Sequence, residues 1–309
     1  MFLTASPLIG VVGTVAYTAW VGFEWWMLAL CLTLYFLVGL SVCAGYHRFF
    51  SHKSYECARP VQLFYLVFGA LAVQSTVLNW SSGHRTHHKH VDHDWDPYNI
   101  QRGFWWAHIF WIFYKNDYDL RNVPDLARNP LCRWQQRWYP ALLLLGGLGL
   151  PAAVGWYFGD VIAGILWGGF LRIVVTHHTT FFVNSLAHSF GERRYDPEVS
   201  ACDNWLVALL TLGEGYHSFH HRFPADYRNG VRWYHWDPAK WWIWGLEKVG
   251  LAERLKRTPE PRIERVRLES SVAQLQGRLD RVSAAAAAEV RDLLRSARHS
   301  LECALALRR

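Results

Sequence analysis

The residues able to do chemistry in this chain are its histidines. There are 16, and most stand in clusters: His47-Arg-Phe-Phe-Ser-His52, His84-Arg-Thr-His87-His88 and His217-Ser-Phe-His220-His221, with Asn184-Ser-Leu-Ala-His188 as a fourth element. On a helix, positions three and four apart share a face. His84, His87 and His88 are therefore expected to project together, as are His217, His220 and His221, while Asn184 and His188 lie one turn apart. Neutral imidazole is the commonest side-chain metal ligand, and it suits iron as well as zinc. One HxxH alone is weak evidence. Together the clusters and His188 supply nine imidazoles, more than one ion binds, and two ions with about four to five ligands each fit that count. His90 and His93 follow in a charged loop and read as surface or supporting residues. His108 sits in an aromatic stretch. His177 and His178 lie inside an apolar run, where they either line a channel or join helix to helix. His235 and His299 look incidental.

The elements that must position these clusters are apolar and long. Residues 1–23 carry no charge, Glu24 interrupts, and Trp25–Tyr46 is again uncharged. Trp138–Phe158 is uncharged, Asp160 marks a turn, and Val161–Phe190 has only Arg172 as a formal charge. Each run reaches the ~20 helical residues that cross a bilayer core. The short connections predict an all-α integral membrane protein with four spans in two hairpins and a helical cap holding the histidines. Two further apolar stretches, Val61–Trp80 and Gly103–Tyr114, are expected to lie in or dip into the interface. The expected segments are a first hairpin (1–46), a segment with the first two clusters (47–137), a second hairpin (138–190), a segment with the third cluster (191–257) and a helical extension (258–309).

Charge patterning gives the side. Residues 1–45 have no Lys or Arg, 46–137 have 11, 138–171 have none, and 172–309 have 21. A net charge of +7 distributed in such blocks is a positive-inside pattern, not the basic face of a nucleic-acid binder. The clusters and both chain ends are thus expected on the cytoplasmic side. Trp, at 18 residues, suits lipid–water interfaces. Six Cys without CxxC spacing suggest neither a zinc ribbon nor a disulfide framework. Leu268, Val272, Leu275, Leu279 and Val282, followed by Ala284–Ala288, read as one helical heptad stretch that packs on its own protein, packs on a second copy or forms a mobile tail. Deleting 264–309 is expected to spare catalysis. Arg172 lies 16 residues before His188, deep in a span, and calls for a partner.

This constellation resembles the membrane-bound fatty-acid desaturases, and within them the acyl-CoA delta-9 (stearoyl-CoA type) branch. The resemblance runs from about Ala44 to Leu251 and rests on GYHRFFSH at 45–52, HRTHHKH at 84–90, DPYNIQRGFWWAH at 96–108, NSLAH at 184–188 and GEGYHSFHHRFPADYRNG at 213–230. It implies a di-iron, O2-dependent enzyme that places a cis double bond in a long saturated acyl chain. By motif position the iron ligands would be His47, His52, His84, His87, His88, His188, His217, His220 and His221, with Asn184 a ligand through water. Gln74 and Trp80 match the family pattern, as does an aromatic at Phe181, and all three are expected along the substrate channel near its bend. Ser75 and Gly83 depart from it, standing where animal members have Asn and Asp that engage the CoA-bearing substrate.

An unactivated methylene pair offers no acidic hydrogen, so no side-chain acid or base suffices and none is assigned. Glu214, Asp92, Asp94 and Asp96 are candidates to support the imidazoles from behind, with loop capping and surface charge the alternative for Asp94 and Asp96. No haem-attachment motif or ferredoxin-like Cys run is visible, so electrons are expected from a separate cytochrome b5-, ferredoxin- or rubredoxin-type donor and its reductase. The nearest rival is a histidine-box hydroxylase of alkyl or lipid chains, but its Glu beside the first His and its NYxEHYG-like segment are missing. A metal-handling membrane protein is more remote, since transport sites lie near the bilayer midplane.

Overall fold

The computed structural model describes residues 2–114, 119–282 and 284–306. Among the described residues, four helices are long and apolar enough to cross a membrane: α1 (Thr4–Val21), α2 (Trp25–Ser51), α7 (Pro130–Tyr157) and α8 (Val161–His188). Between α2 and α7 lie α3 (Arg59–Ala70), α4 (Val77–His90), and the short α5 (Phe104–His108) and α6 (Pro124–Arg128). After α8 come α9 (Trp205–Leu210), α10 (His217–Arg222), α11 (Pro238–Lys248), α12 (Glu260–Leu279) and α13 (Ala284–Ala306). Many of the starts carry a local signal. Thr76, Asn129, Asp160, Asn204 and Asp237 each cap a following backbone N–H with the side chain, and Pro130 and Pro238 occupy first-turn positions, where a missing N–H costs nothing.

The spans differ from expectation at their ends. α2 does not stop at Tyr46 but runs on through His47 to Ser51, and α7 begins at Pro130 rather than Trp138. α1 packs on α8, where Trp167 Nε1 donates to Thr18 Oγ1 at 3.1 Å and Tyr17 Oη to Asp160 at 3.1 Å. Leu8, Val12, Val15, Trp20, Leu144, Leu145 and Trp156 remain exposed, the lipid-facing surface of such helices. α2 and α3 interlock through two glycines. A Cβ on Gly45 would sit 2.5 Å from the Tyr65 ring, and one on Gly69 would sit 2.4 Å from the Tyr46 ring. Each helix thus receives the other's tyrosine, and the buried cluster of Tyr46, Phe50, Tyr55, Tyr65 and Leu66 forms around that crossing.

Two of the expected elements are broken. The stretch 61–80 is not one interfacial helix: α3 ends at Ala70 and α4 starts at Val77, with Val73 and Ser75 between them at φ 58 and 79. The stretch 103–114 is likewise split, into α5 and a short 3-10 turn at Phe110–Phe113. The heptad stretch is also two helices, parted between Leu279 and Ala284. Its buried face is only partly the predicted one. α12 turns Ile263, Val266 and Ser270 inward together with the expected Leu279, while Leu275 and Val282 are exposed. Ile263 and Val266 pack on Phe219 and Phe223, so α12 backs directly onto α10. The side chains of 284–288 lie outside the described residues. A two-stranded pairing, β1 (Glu56–Cys57) with β2 (Ala252–Glu253), ties the chain after α11 to the end of α2.

Candidate metal centre

Four helix ends converge on one point. The last turns of α2, Ser41–Ser51, are wound as a π-helix. In an α-helix, residues five apart diverge by about 140°, but i→i+5 bonding stacks them. His52 N bonds to His47 O at 3.1 Å in this way, and both rings face the same side, with centroids 4.9 Å apart. α4 brings His84, His87 and His88, α8 ends on His188, and α10 brings His217, His220 and His221.

All nine imidazoles come together, in two groups. His47, His52, His84, His88 and His220 form one, and His87, His188, His217 and His221 the other, each offering nitrogens within 4.8 Å of one another. Six of the nine rings are buried, and His52, His88 and His221 are half-buried. Nε2 atoms face each other at 2.9 Å (His47–His220), 2.8 Å (His52–His84), 2.9 Å (His220–His88), 3.3 Å (His87–His221), 3.0 Å (His217–His188) and 3.0 Å (His221–His217).

The Nδ1 atoms show which tautomer faces inward. His47 Nδ1 lies 2.6 Å from Glu214 and His87 Nδ1 lies 2.8 Å from Asp96. His188 Nδ1 donates to Ser200 Oγ at 2.7 Å. Ser200 in turn donates to Asp92 through its hydroxyl and, at 2.6 Å, its backbone N–H. A proton fixed on Nδ1 leaves Nε2 as a lone pair. Burial, reinforced by crowding among the rings, holds His52, His84, His88, His217, His220 and His221 below the ordinary imidazole value, His217 at about 3. Neutral rings with facing lone pairs at such distances repel one another unless a cation sits between them. The donor set, five and four imidazole nitrogens, fits two metal ions and leaves open positions on each.

Glu214 is itself held. Arg48, buried between the box histidines, reaches Glu214 at 3.0 Å and Asp237 at 2.9 Å, and Asn229 donates to Glu214 at 2.8 Å. Burial alone would raise the Glu214 carboxyl, but the His47 contact and the Arg48 charge outweigh it and bring it to about 2. It is therefore an acceptor-only carboxylate at neutral pH.

A cavity of about 490 Å³ opens beside the imidazoles. His47, His84, His87, His217, Glu214 and Asn184 line it, as do Gln74, Trp80, Thr180 and Phe181. Trp80 Nε1 donates to Gln74 Oε1 at 3.2 Å, and Gln74 Nε2 donates to Thr180 Oγ1 at 2.9 Å. Trp80 also stacks on His84 at 5.0 Å. Ser75 and Gly83 share the lining. Most of the remaining wall is apolar, from Tyr35 and Val42 to Ile112.

The structure sorts the sequence-derived candidates. Gln74, Trp80, Phe181 and Asn184 all reach the cavity. Glu214 and Asp96 touch ring nitrogens directly, and Asp92 does so through Ser200. Asp96 also caps its loop, accepting from Tyr98 N at 3.2 Å. Asp94 is exposed, in keeping with the surface-charge alternative, and no contact to an imidazole is found for it among the described residues. His177 lines the cavity and bonds to Ala72 O at 2.9 Å, filling both roles offered for it. His108 is buried, pairs with His178 and Ser185 at 3.0 Å each, and is lowered to about 4 by burial. Sequence reasoning missed Ser200, Thr180, Asn229 and Asp237. Only Asp237 had a visible cue, since Arg48 between two metal-site histidines demands buried anions.

Apolar spans, an imidazole-walled centre and a largely apolar cavity beside it define a membrane protein with a histidine metal site. The fatty acid desaturase family model matches residues 23–255, and the chain belongs to that family. It is 39% identical over 254 residues to acyl-CoA desaturase 1 of Saccharomyces cerevisiae, covering 81% of this chain and 49% of the relative. It is 40% identical to the sn-2 palmitoyl-lipid 9-desaturase of Nostoc, over 77% of this chain and 84% of the relative. With stearoyl-CoA desaturase 5 of Homo sapiens it shares 36% identity, over 74% and 72%. The chain spans about half the length of the two yeast relatives, 49% and 53%.

Proposed function

We propose that this chain is a di-iron, O2-dependent acyl desaturase that introduces a cis double bond at the delta-9 position of a long saturated chain carried on CoA. The observation that carries the reading is that both imidazole groups line one largely apolar cavity, in which the acyl chain would bend at Gln74, Trp80 and Phe181. His47, His52, His84, His88 and His220 would hold one iron, and His87, His188, His217 and His221 the other, with Asn184 joining through water. The irons would supply the O2 reduction needed to break C–H bonds that no side chain can ionise. Over the cycle two C–H bonds would break and one C=C form, while O2 takes up the two substrate hydrogens together with two electrons from the donor and two protons and leaves as two waters.

The protein's own part is placement and exclusion of water. Apolar walls bind the chain, at ~0.8 kcal/mol per buried CH2. Gln74, Trp80 and Thr180 make a hydrogen-bonded corner at the turn. Glu214, Asp96 and Ser200 keep the ring protons on Nδ1, away from the centre. The spans would form two hairpins, with the cap, the centre and both ends on the cytoplasmic side, as the basic blocks indicate. There a cytochrome b5-, ferredoxin- or rubredoxin-type donor and its reductase would deliver electrons.

The test is the fatty-acid profile of cells making the wild type or His220→Ala, beside a known desaturase as control. A new cis-monounsaturated chain in the wild type alone is expected, and its double-bond position gives the regiochemistry. A hydroxylated chain, or no product while the control works, would overturn the reading.

A further inference from the structure

Arg172 sits within α8 with no solvent exposure. A guanidinium keeps its proton, and a charge at membrane depth is retained for a reason. Its partners are carbonyls. Nε donates to Gly168 O at 3.1 Å, one turn back, and Nη1 donates to Leu71 O. Five residues on, His177 donates to Ala72 O at 2.9 Å. Two buried donors from one helix therefore meet two consecutive carbonyls just past the end of α3.

Those carbonyls need them. Leu71, Ala72 and Val73 close α3 with tight bonds back to Phe68, Gly69 and Ala70, each 3.1 Å. The carbonyls beyond lie at the negative end of a helix dipole in an apolar setting, where an unmet acceptor is costly. The chain then turns through Val73 at φ 58 and Ser75 at φ 79. This left-handed region is unfavourable for any side chain and worst for a β-branched one. No glycine or proline eases the turn at 71–76. Between the two strained residues stands Gln74, bonded to Trp80 and Thr180 on the wall of the cavity, where the acyl chain would bend.

We infer that Arg172 and His177 are positioning residues that clamp the strained 71–76 turn and thereby fix where the cavity bends relative to the metal centre. The inference rests on the cavity being the acyl site. α8 carries the clamp (Arg172, His177), the corner contact (Thr180) and the metal-facing residues (Asn184, His188) in sequence. One rigid helix thus measures the distance from centre to bend, and that distance selects the carbons to be oxidised. Without the clamp, the turn relaxes and Gln74 leaves the corner.

The experiment compares wild type, Arg172→Met, His177→Leu and His177→Gln in the same cells, with double-bond positions mapped by mass spectrometry. Metal per chain is measured on each purified full-length protein. Arg172→Met is expected to lower product about tenfold, the scale of a lost charged hydrogen bond. The remaining product should be spread over neighbouring double-bond positions, with metal content as in wild type. His177→Leu should show the same spread more mildly, and His177→Gln, which still donates, should restore a single position. If Arg172→Met fails to accumulate, the His177 pair decides. A single wild-type position in His177→Leu, or a loss of product that tracks loss of metal, would overturn the clamp. A wild type that makes no unsaturated product beside a working control would instead overturn the desaturase reading and the clamp with it.

Discussion

His87 and His220 each leave the company of their helical neighbours. Around an α-helix, His84 and His88 lie about 40° apart, while His87 lies about 60° to the other side of His84. α4 therefore gives His84 and His88 to one group and His87 to the other, and α10 gives His217 and His221 to one and His220 to the other. Each helix feeds both groups, so one lost ring disturbs a centre held by elements far apart in sequence. Replacing His87, His188 or His220 by Ala is expected to abolish desaturation in a protein that still inserts. Metal per chain, measured on purified material, should fall from two toward one, and full activity would remove that residue from the set. Ser200 acts one step back, holding His188 against Asp92. Ser200→Ala should weaken metal affinity by about 10–100-fold, the usual cost of losing such a partner, and Ser200→Thr should recover most of it. Unchanged affinity in the alanine variant would make the hydroxyl incidental.

At the scale of elements, α2 and α3 cross in close contact near the centre. Gly45→Ala would drive a methyl into the Tyr65 ring. Overpacking of this kind costs about 1–3 kcal/mol, and it should appear as a lower melting temperature and lower metal occupancy, because His47 lies two residues on. The C-terminal extension divides in a way its heptads did not announce. Removing α13 should leave activity intact. Removing α12 as well strips Ile263 and Val266 from the back of α10, and with them the packing that fixes His217, His220 and His221. The expected cut of 264–309 passes through that contact, so it should impair the enzyme where a cut after residue 283 does not. Equal activity of both truncations would show that α10 needs no support from α12.

At the scale of the whole molecule, the segment between α2 and α7 is tied to the end of α2 by a few charged links. Arg85 donates to the carbonyls of Phe50 and Ser51 at the end of α2 and is paired with Asp125 at 2.8 Å, while Lys53 also reaches Asp125 at 2.9 Å. Burial opposes ionisation of Asp125, but Arg85 and Lys53 prevail and hold its carboxyl well below the ordinary range. A depressed carboxyl adds stability that is complete above its unfolded value, about 4, and is lost as pH falls below it toward the folded value. Wild type should melt a few degrees above Asp125→Asn at pH 7, and the gap should narrow in acid. A gap independent of pH would deny the carboxylate its part. Stripping the metal should lower the melting temperature of wild type, since an ion bound only by the native state stabilises it, and much less that of His220→Ala. The span count, the uncharged runs and the nine histidines were legible in one sequence, because bilayer crossing and imidazole ligation depend on residue type and local spacing. The break between α3 and α4 was not, because Val73 and Ser75 carry no local signal for a left-handed turn and are held there by Arg172 and His177, about a hundred residues away. Nor was the partition of the histidines, the Ser200–Asp92 support or the inward face of α12, since each depends on what a distant helix presents. Residue chemistry and periodicity, which are local, set what this chain can bind and where it crosses the membrane. The arrangement of the centre and the bend of the cavity were decided by contacts between helices, which only the folded structure brings together.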